Sequence, residues 1–406
     1  MKYSNRRKFV KTVGAGAGIG LVAGCLGGGG GGGGSTTSSG TIKIAALEPL
    51  TGPFSADAQR HLRGLRFAVE RINQSGDLDR DLEVLSVDTK TSVQTATNAF
   101  SRLIEQENVV AATGPGASDV GIQTSRVAEE EGVPLLLFAS GGVELTPETR
   151  YTYRVGLPPI YMDATAQAQW INELGASKVG AIVESAVWGQ GFLNSLTNEL
   201  GDSVEVVSRE APVTETTFTS YLRQMPKDVD VFTGSGHPVG LDNMYMQAYD
   251  LGFEPEAFPA AIEPASVSYD VIGEPLLYES FAPFYNVDFE SDRYKSVASD
   301  YYETHSAFFD NPDACGFVSG KAIAEAITVA GSTNPEMVSQ GLRDMKLETV
   351  FSFPLSYNEW CEMENVVQTY YGFEKGAPEY YPDGNFKLTP QFRSEPVQPD
   401  PDFTLS

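Results

Sequence analysis

Histidine and cysteine are scarce in this 406-residue chain, with three of each, and 28 lysines and arginines stand against 54 aspartates and glutamates. His61, His237 and His305 are far apart and never fall in an H-E-x-x-H spacing, which removes a common zinc-hydrolase pattern. Neither a G-x-S-x-G nucleophile elbow nor a zinc-type cysteine pairing occurs. The run GFVSGKA around Lys321 is one residue short of a phosphate loop, lacks Ser or Thr after the lysine and falls in a predicted helix. With so few basic residues there is no basic patch for nucleic acid or for an anionic membrane face. Long apolar runs are missing too: the apolar stretch ending at Gly24 is far shorter than the ~20 residues that a membrane span needs.

That short stretch has a meaning of its own. SNRRKFVK supplies a basic start around Arg6 and Arg7, a Gly/Ala-rich apolar run follows, and Val-Ala-Gly-Cys closes it at Cys25. Such an order reads as a secretory signal rather than as part of a fold. The paired arginines with Phe9, Val10 and Lys11 resemble the twin-arginine export signal, whose cargo crosses already folded. The V-A-G-C end resembles a lipoprotein box, in which the cysteine sulfur receives lipid. Residues 1–24 are therefore expected to be the signal, Cys25 the lipid attachment site, and 25–40, with eight consecutive glycines and a Ser/Thr run, a flexible tether to the outer face of the cell membrane.

Past the signal, which carries five basic residues and no acidic ones, 23 basic residues face 54 acidic ones, a balance of −31, with nine lysines left. This resembles the surface of haloarchaeal proteins, where salt screens self-repulsion. Once Cys25 is assigned to lipid, only Cys315 and Cys361 remain, too few for a disulfide framework, and a single bridge between them stays open. The 366 residues from Thr41 onward are enough for two cores.

Their pattern alternates strand and helix. TIKIAALEP places Ile42, Ile44 and Ala46 on one strand face, and Leu62, Leu65, Val69 and Ile72 recur at helical spacing in the next segment. DLEVLSVDT, a helix with Ala96, Phe100, Leu103 and Ile104, NVVAATG, a helix to Glu131 and VPLLLFAS complete a doubly wound parallel sheet. After the crossing RYTYRVGLPPIY, the alternation restarts with KVGAIVES, SVEVVSRE, VDVFTGSG and AFPAAIE. The expected fold class is α/β with two similar lobes. Glycine and proline cluster just after these strands, in LTGPF, TGPGASD, FASGG, VWGQG and GSGHP. That is the carboxyl edge, where open α/β sheets hold ligands. In TGPGASD, Ser118 opens a helix, so its hydroxyl and the free N–H groups suit a carboxylate, with an ordinary N-cap as the plain alternative.

The run from Ile42 through LTGPFSADAQRHLRGLRFAVERIN, then VDTKTSVQTATNAFSRLI, VVAATGPGASD and GVPLLLFASGGVELT, resembles the substrate-binding lipoproteins and periplasmic proteins that feed branched-chain amino acids to ABC transporters. The likeness covers nearly all of residues 41–375. It implies the type I periplasmic-binding fold, two doubly wound lobes joined by a three-segment hinge, with crossings near Val155 to Pro158, Pro283 to Asn286 and Phe351 to Pro354. Lobe one would comprise 41–156 and 286–351, including the helix through Ala322 to Val329. Lobe two would comprise 157–285 and 352–375, with 376–406 a C-terminal extension beyond the likeness.

Carried over residue by residue, the resemblance implies that Ser118 holds an amino acid carboxylate. Where the family usually has a small residue followed by threonine, this chain has Ser140 and Gly141, so the hydroxyl comes one residue early and Gly141 keeps only its backbone N–H. Trp188 stands where an aromatic covers the ligand. Glu263 falls within one residue of the carboxylate that pairs with the ligand ammonium, and His237 lies near another family aromatic. Asp57 replaces a frequent tyrosine against the side-chain pocket. If it faces the cleft, it disfavours a purely aliphatic ligand and suits a more polar or cationic one.

The implied function is capture of an amino acid or amino-acid-like solute by a monomer that delivers it to a membrane ABC permease, with no metal or cofactor and no catalysis. A same-fold binder of an amide, urea-like or other carboxylate ligand, and a ligand sensor for a membrane receptor, remain the alternatives, because fold does not settle function.

Overall fold

The computed structural model describes residues 40–236, 240–260 and 264–400. The signal, the glycine tract and Cys25 lie outside the described residues, and so do His237 and Glu263. The first alternation runs β1 (Ile42–Glu48), α1 (Ser55–Ser75), β2 (Leu82–Asp88), α2 (Val93–Arg102), β3 (Ala111–Thr113), α3 (Ser118–Glu131), β4 (Leu135–Leu137) and β5 (Thr152–Arg154). Its five strands pair in the order β2-β1-β3-β4-β5, all parallel. Strand β1 shows why the segment folds this way. Ile42, Ile44 and Ala46 enter one core with Leu62, Leu65, Val69 and Ile72 of α1, while Ala45 and Leu47 enter another with Phe100 of α2. A strand covered by helices on both faces has to be apolar at nearly every position.

The second alternation comprises α4 (Ile160–Glu173), β6 (Lys178–Glu184), α5 (Val187–Leu200), β7 (Glu205–Ala211), α6 (Thr219–Leu222), β8 (Val231–Gly234), α7 (Gly240–Asp250), β9 (Phe258–Ala260), α8 (Ala265–Ile272) and β10 (Phe281–Tyr285). Strands β7, β6 and β8 pair in parallel, a Val231–Ala257 bridge leads on towards β9, and β9 pairs in parallel with β10. The rest of the chain forms α9 (Asp292–His305), α10 (Asn311–Ala330), α11 (Pro335–Asp344), β11 (Thr369–Lys375) and β12 (Phe386–Arg393). The last two strands join the β9–β10 sheet antiparallel, in the order β12-β11-β10-β9. Part of the stretch after residue 375 is thus a sheet strand, which buries Phe386, Leu388 and Phe392. An antiparallel return needs only a short link, whereas a parallel one would need another crossover helix.

Helix α10 packs on α1 although some 250 residues separate them. The crossing brings backbones into contact: a Cβ added at Gly64 would lie 1.8 Å from the Asp313 carbonyl oxygen, and one at Gly316 would lie 1.9 Å from that of His61. The segments around Gly156, Asn286 and Ser352 lie side by side. The Asn286 carboxamide donates to the Gly156 carbonyl, Ser352 N–H donates to the Asn286 carbonyl at 2.7 Å, and Asp288 N–H donates to the Val350 carbonyl at 2.9 Å. Cys315, inside α10, and Cys361 are both free and buried, so they form no bridge. No single described helix is long and apolar enough to cross a membrane.

Candidate functional site

A cavity of about 330 Å³ lies where the carboxyl ends of the strands converge, within the ~300–1,000 Å³ usual for small-molecule sites. Each of the five glycine-rich clusters contributes to its wall: Phe54 from LTGPF, Gly116 to Asp119 from TGPGASD, Phe138 and Ala139 from FASGG, Val187 and Trp188 from VWGQG, and Gly236 from GSGHP. The first three segments follow β1, β3 and β4, and the last two follow β6 and β8. The wall is mostly apolar, and among the described residues its charged members are Asp57, Asp119 and Glu184.

Ser118 is the first residue of α3 rather than its cap, since Ala117 holds the cap position. Its hydroxyl oxygen accepts the Gly142 N–H at 3.0 Å, which leaves its own O–H able to donate into the cavity. Ser140 is turned elsewhere. Its hydroxyl faces the carbonyl oxygens of Pro115 at 2.9 Å and Ala117 at 3.1 Å, and it does not line the cavity. Gly141 is also off the wall and has a packing reason instead: a Cβ there would lie 2.3 Å from the Trp188 ring and 2.8 Å from the Pro158 carbonyl oxygen. Only glycine lets the indole from α5 close over this loop.

The 140–143 loop is held from behind by Arg154 at the end of β5. Its Nη1 donates to the Ser140 carbonyl at 2.8 Å, its Nη2 donates to the Val143 carbonyl, and its Nε donates to Glu362 at 2.8 Å. Arg154 and Glu362 are both buried, so the pair is desolvated. The chain Glu362–Arg154–loop–Gly142–Ser118 therefore runs from the segment before β11 to the cavity wall.

Asp57, in the first turn of α1, lines the cavity at 8% exposure, and its Oδ1 has no hydrogen-bond partner. Burial pushes its carboxyl up to about 8, opposed by Arg60 and reinforced by Asp310 and Asp242. Glu184, at the carboxyl end of β6, is raised to about 7 by burial and by the charge of Asp119. Thr91 brings a further polar group: its Oγ1 is buried without a partner, on a β-branched residue held at φ 55°. Glu184, Asp119 and Thr91 were not singled out from the sequence, although Asp119 ends TGPGASD and Glu184 ends the strand that feeds VWGQG. No group of three or more His, Cys, Asp or Glu among the described residues is placed to hold a metal ion.

The model of the periplasmic binding protein family matches residues 41–374. The chain belongs to that family. Among curated proteins, it is 24% identical over 345 residues to the Leu/Ile/Val-binding protein homolog 7 of Brucella abortus, covering 77% of this chain and 83% of the relative. An amino acid binding protein of Pseudomonas aeruginosa is 24% identical over 161 residues, 39% of this chain and 43% of that protein. Among solved structures, the leucine binding protein LivK of Thermotoga maritima superposes with a TM-score of 0.74 at 19% identity, covering 88% of this chain and 99% of its own. LivJ of Streptococcus pneumoniae, in complex with isoleucine, gives 0.74 at 18%, covering 89% and 100%. A solute binding protein of R. palustris in complex with benzoate gives 0.73 at 16%, covering 89% and 98%. These likenesses carry the type I two-lobed α/β fold.

Proposed function

We propose that this protein is an exported solute-binding component of an ABC importer that captures an amino acid or amino-acid-like molecule in the cavity between its lobes. The observation that carries this reading is a cavity walled from both alternations, with the start of α3 and Ser118 on one side and carboxyl groups on the others. An α-carboxylate fits Ser118 and the α3 N–H groups, and an ammonium fits the acids. Relatives named for leucine, isoleucine, valine or amino acids support it. Trp188 covers the ligand, and Glu263 and His237, next to the mouth in sequence, complete the site in this reading, whereas Ser140 and Gly141 shape the loop. Lobe one is assigned to 41–156 and 286–351, lobe two to 157–285 and 352–375, with 376–406 a C-terminal extension whose strand β12 pairs with β11.

Binding works by closure: a ligand that prefers the closed state shifts the population and presents a new surface to the permease. Catalysis has no part in this mechanism. The monomer stands on a lipid at Cys25 after twin-arginine export, and its acidic surface is adapted to high salt. Mass spectrometry of the solute that co-purifies in high salt tests the reading, with an amino acid or close analogue expected. X-ray scattering should show a more compact particle with that solute bound. Superimposable curves would argue for a rigid receptor, and a co-purified solute lacking both carboxylate and amine would overturn the ligand class.

A further inference from the structure

Resting on the reading that the cavity lies in a clamp that closes, we propose that Asp310 is the latch of that clamp, a positioning residue that sets how long a solute stays although it stands off the cavity wall. Asp310 is fully buried and caps α10, where its Oδ1 accepts the Asn311 N–H at 2.9 Å. The same carboxylate caps a second helix. Its Oδ1 also accepts the Ala265 N–H at 2.9 Å, and its Oδ2 accepts the Ser266 N–H at 2.9 Å and the Ser266 O–H at 2.7 Å. These are the first two residues of α8, whose own cap position is held by Pro264 with no side-chain acceptor to offer.

The two helices belong to different alternations. Helix α10 is fixed on α1 by the backbone contacts at Gly64 and Gly316, and α1 follows β1 of the first sheet. Helix α8 lies between β9 and β10 of the second alternation, where Ser268 donates to Asp242 of α7 at 2.8 Å and the Tyr269 ring stacks on Phe386 of β12 at 5.2 Å. A second hold comes from α1. Arg60 Nη2 donates to Ser266 Oγ at 3.1 Å, which extends the chain of hydrogen bonds from α1 through Ser266 to Asp310. Asp57, one turn before Arg60, lines the cavity, whereas Asp310, Arg60 and Ser266 are not among its described lining residues. The latch therefore stands beside the solute without touching it.

A helix start favours a negative charge, and here the charge that α8 uses is carried by the helix pair α1 and α10. Parting the two alternations returns the carboxylate and the α8 N–H groups to water, so opening forfeits only their net gain and closure stays reversible. Weakening the latch should speed the escape of a solute and leave its entry unchanged, because entry takes place in the open form.

The test is stopped-flow association and dissociation of leucine, with phenylalanine as a second probe, on the full mature protein and its Ser266→Ala, Ser266→Thr and Asp310→Asn variants. Ser266→Ala should raise the dissociation rate by about tenfold, with association within about twofold of wild type. Ser266→Thr keeps the hydroxyl and should stay within about threefold of wild type on both rates. Asp310→Asn should speed dissociation at least as much, and adding Ser266→Ala to it should change the rate by less than twofold, because the two act through one contact. Hydrogen exchange on the empty protein reads the same latch without any solute. The Ala265 amide should exchange at least about tenfold faster in both single variants, with amides in the middle of α8 unchanged.

Dissociation of a bound probe that stays at the wild-type rate in Ser266→Ala would overturn the inference, even if melting fell, and leave Asp310 an ordinary cap shared by two helices. A faster dissociation matched by an equal change in association, or fully additive effects in the double variant, would also overturn it. Silence of both probes in the wild type would count against the amino acid reading, and the Ala265 exchange would then decide the latch: no acceleration in the variants would overturn it.

Discussion

Two sets of buried acids divide this molecule. Glu48, Asp313 and Glu362 lie in the body of the fold, each against a basic partner: His61 Nδ1 at 2.7 Å, Arg63 Nε at 2.9 Å and Arg154 Nε at 2.8 Å. Tyr301 adds a hydroxyl to Asp313 at 2.6 Å. Asp57 is buried to a similar depth, but it faces a cavity that brings no base among the described residues of its wall. The contrast separates architecture from function. A buried charge needs a partner, and where the fold provides one the acid pins two elements together. Where a cavity faces the acid instead, as at Asp57, burial favours the neutral carboxyl.

The comparison breaks most visibly at Arg154. Arg154→Met would leave Glu362 buried without its cation and release the carbonyls of Ser140 and Val143, so the loss should be on the order of 3–5 kcal/mol by denaturant unfolding. Replacing Glu362 by leucine in the same chain should recover a substantial part of that loss, because no uncompensated charge remains. Asp57→Asn, by contrast, should not destabilise the empty protein, since its carboxyl is already held neutral near pH 7. Equal destabilisation by the two single changes would erase the distinction between body and cavity acids.

Binding sharpens it next. Ser118→Ala removes one hydrogen bond to a ligand carboxylate, worth about 1.5–3 kcal/mol, so amino acid affinity should fall by roughly 10- to 150-fold with melting little changed. The Gly142 N–H also loses its acceptor, and a clear drop in melting without loss of affinity would make Ser118 a loop fastener only. Gly141→Ala is the packing counterpart. Its methyl would meet the Trp188 ring at 2.3 Å, so closure should weaken, at about 1–3 kcal/mol for an overpacked contact, read as a rise in the ligand dissociation rate.

Much of this was legible before any coordinates. The strands could be read because apolar alternation survives even in a doubly covered sheet, and the cavity could be read because Gly and Pro cluster where those strands end. The pairing of distant segments was harder to see. Nothing local to Gly64 and Gly316 says that their backbones touch, and nothing in the tail announces β12, whose partner β11 follows a long crossing. Ser140 looked like a ligand hydroxyl, yet its oxygen faces Pro115 and Ala117, neighbours supplied by the fold alone. Glu184 was hidden by its place at the end of an apolar strand, where only the cavity opposite makes an acid informative.

The pH dependence is the most diagnostic effect, because it is read without any ligand. Asp57 and Glu184 ionise at about 8 and about 7 in the folded protein, above the ~4 of an unfolded carboxyl. Between the two values the native state binds more protons than the unfolded chain, so these groups make stability fall as pH rises. Each contributes a slope of at most about 1.4 kcal/mol per pH unit, which begins near pH 4 and flattens once pH exceeds the folded value. Empty wild-type protein should therefore lose stability from pH 5 towards pH 8 relative to an Asp57→Asn, Glu184→Gln double variant, and the two curves should run parallel above about pH 9. Glu362 and Asp313 are present in both proteins, and their own titrations cancel in the difference. A difference curve that stays flat from pH 5 to pH 9 would mean that both acids ionise normally, and burial at the cavity would then be no harsher to a carboxylate than the solvent is.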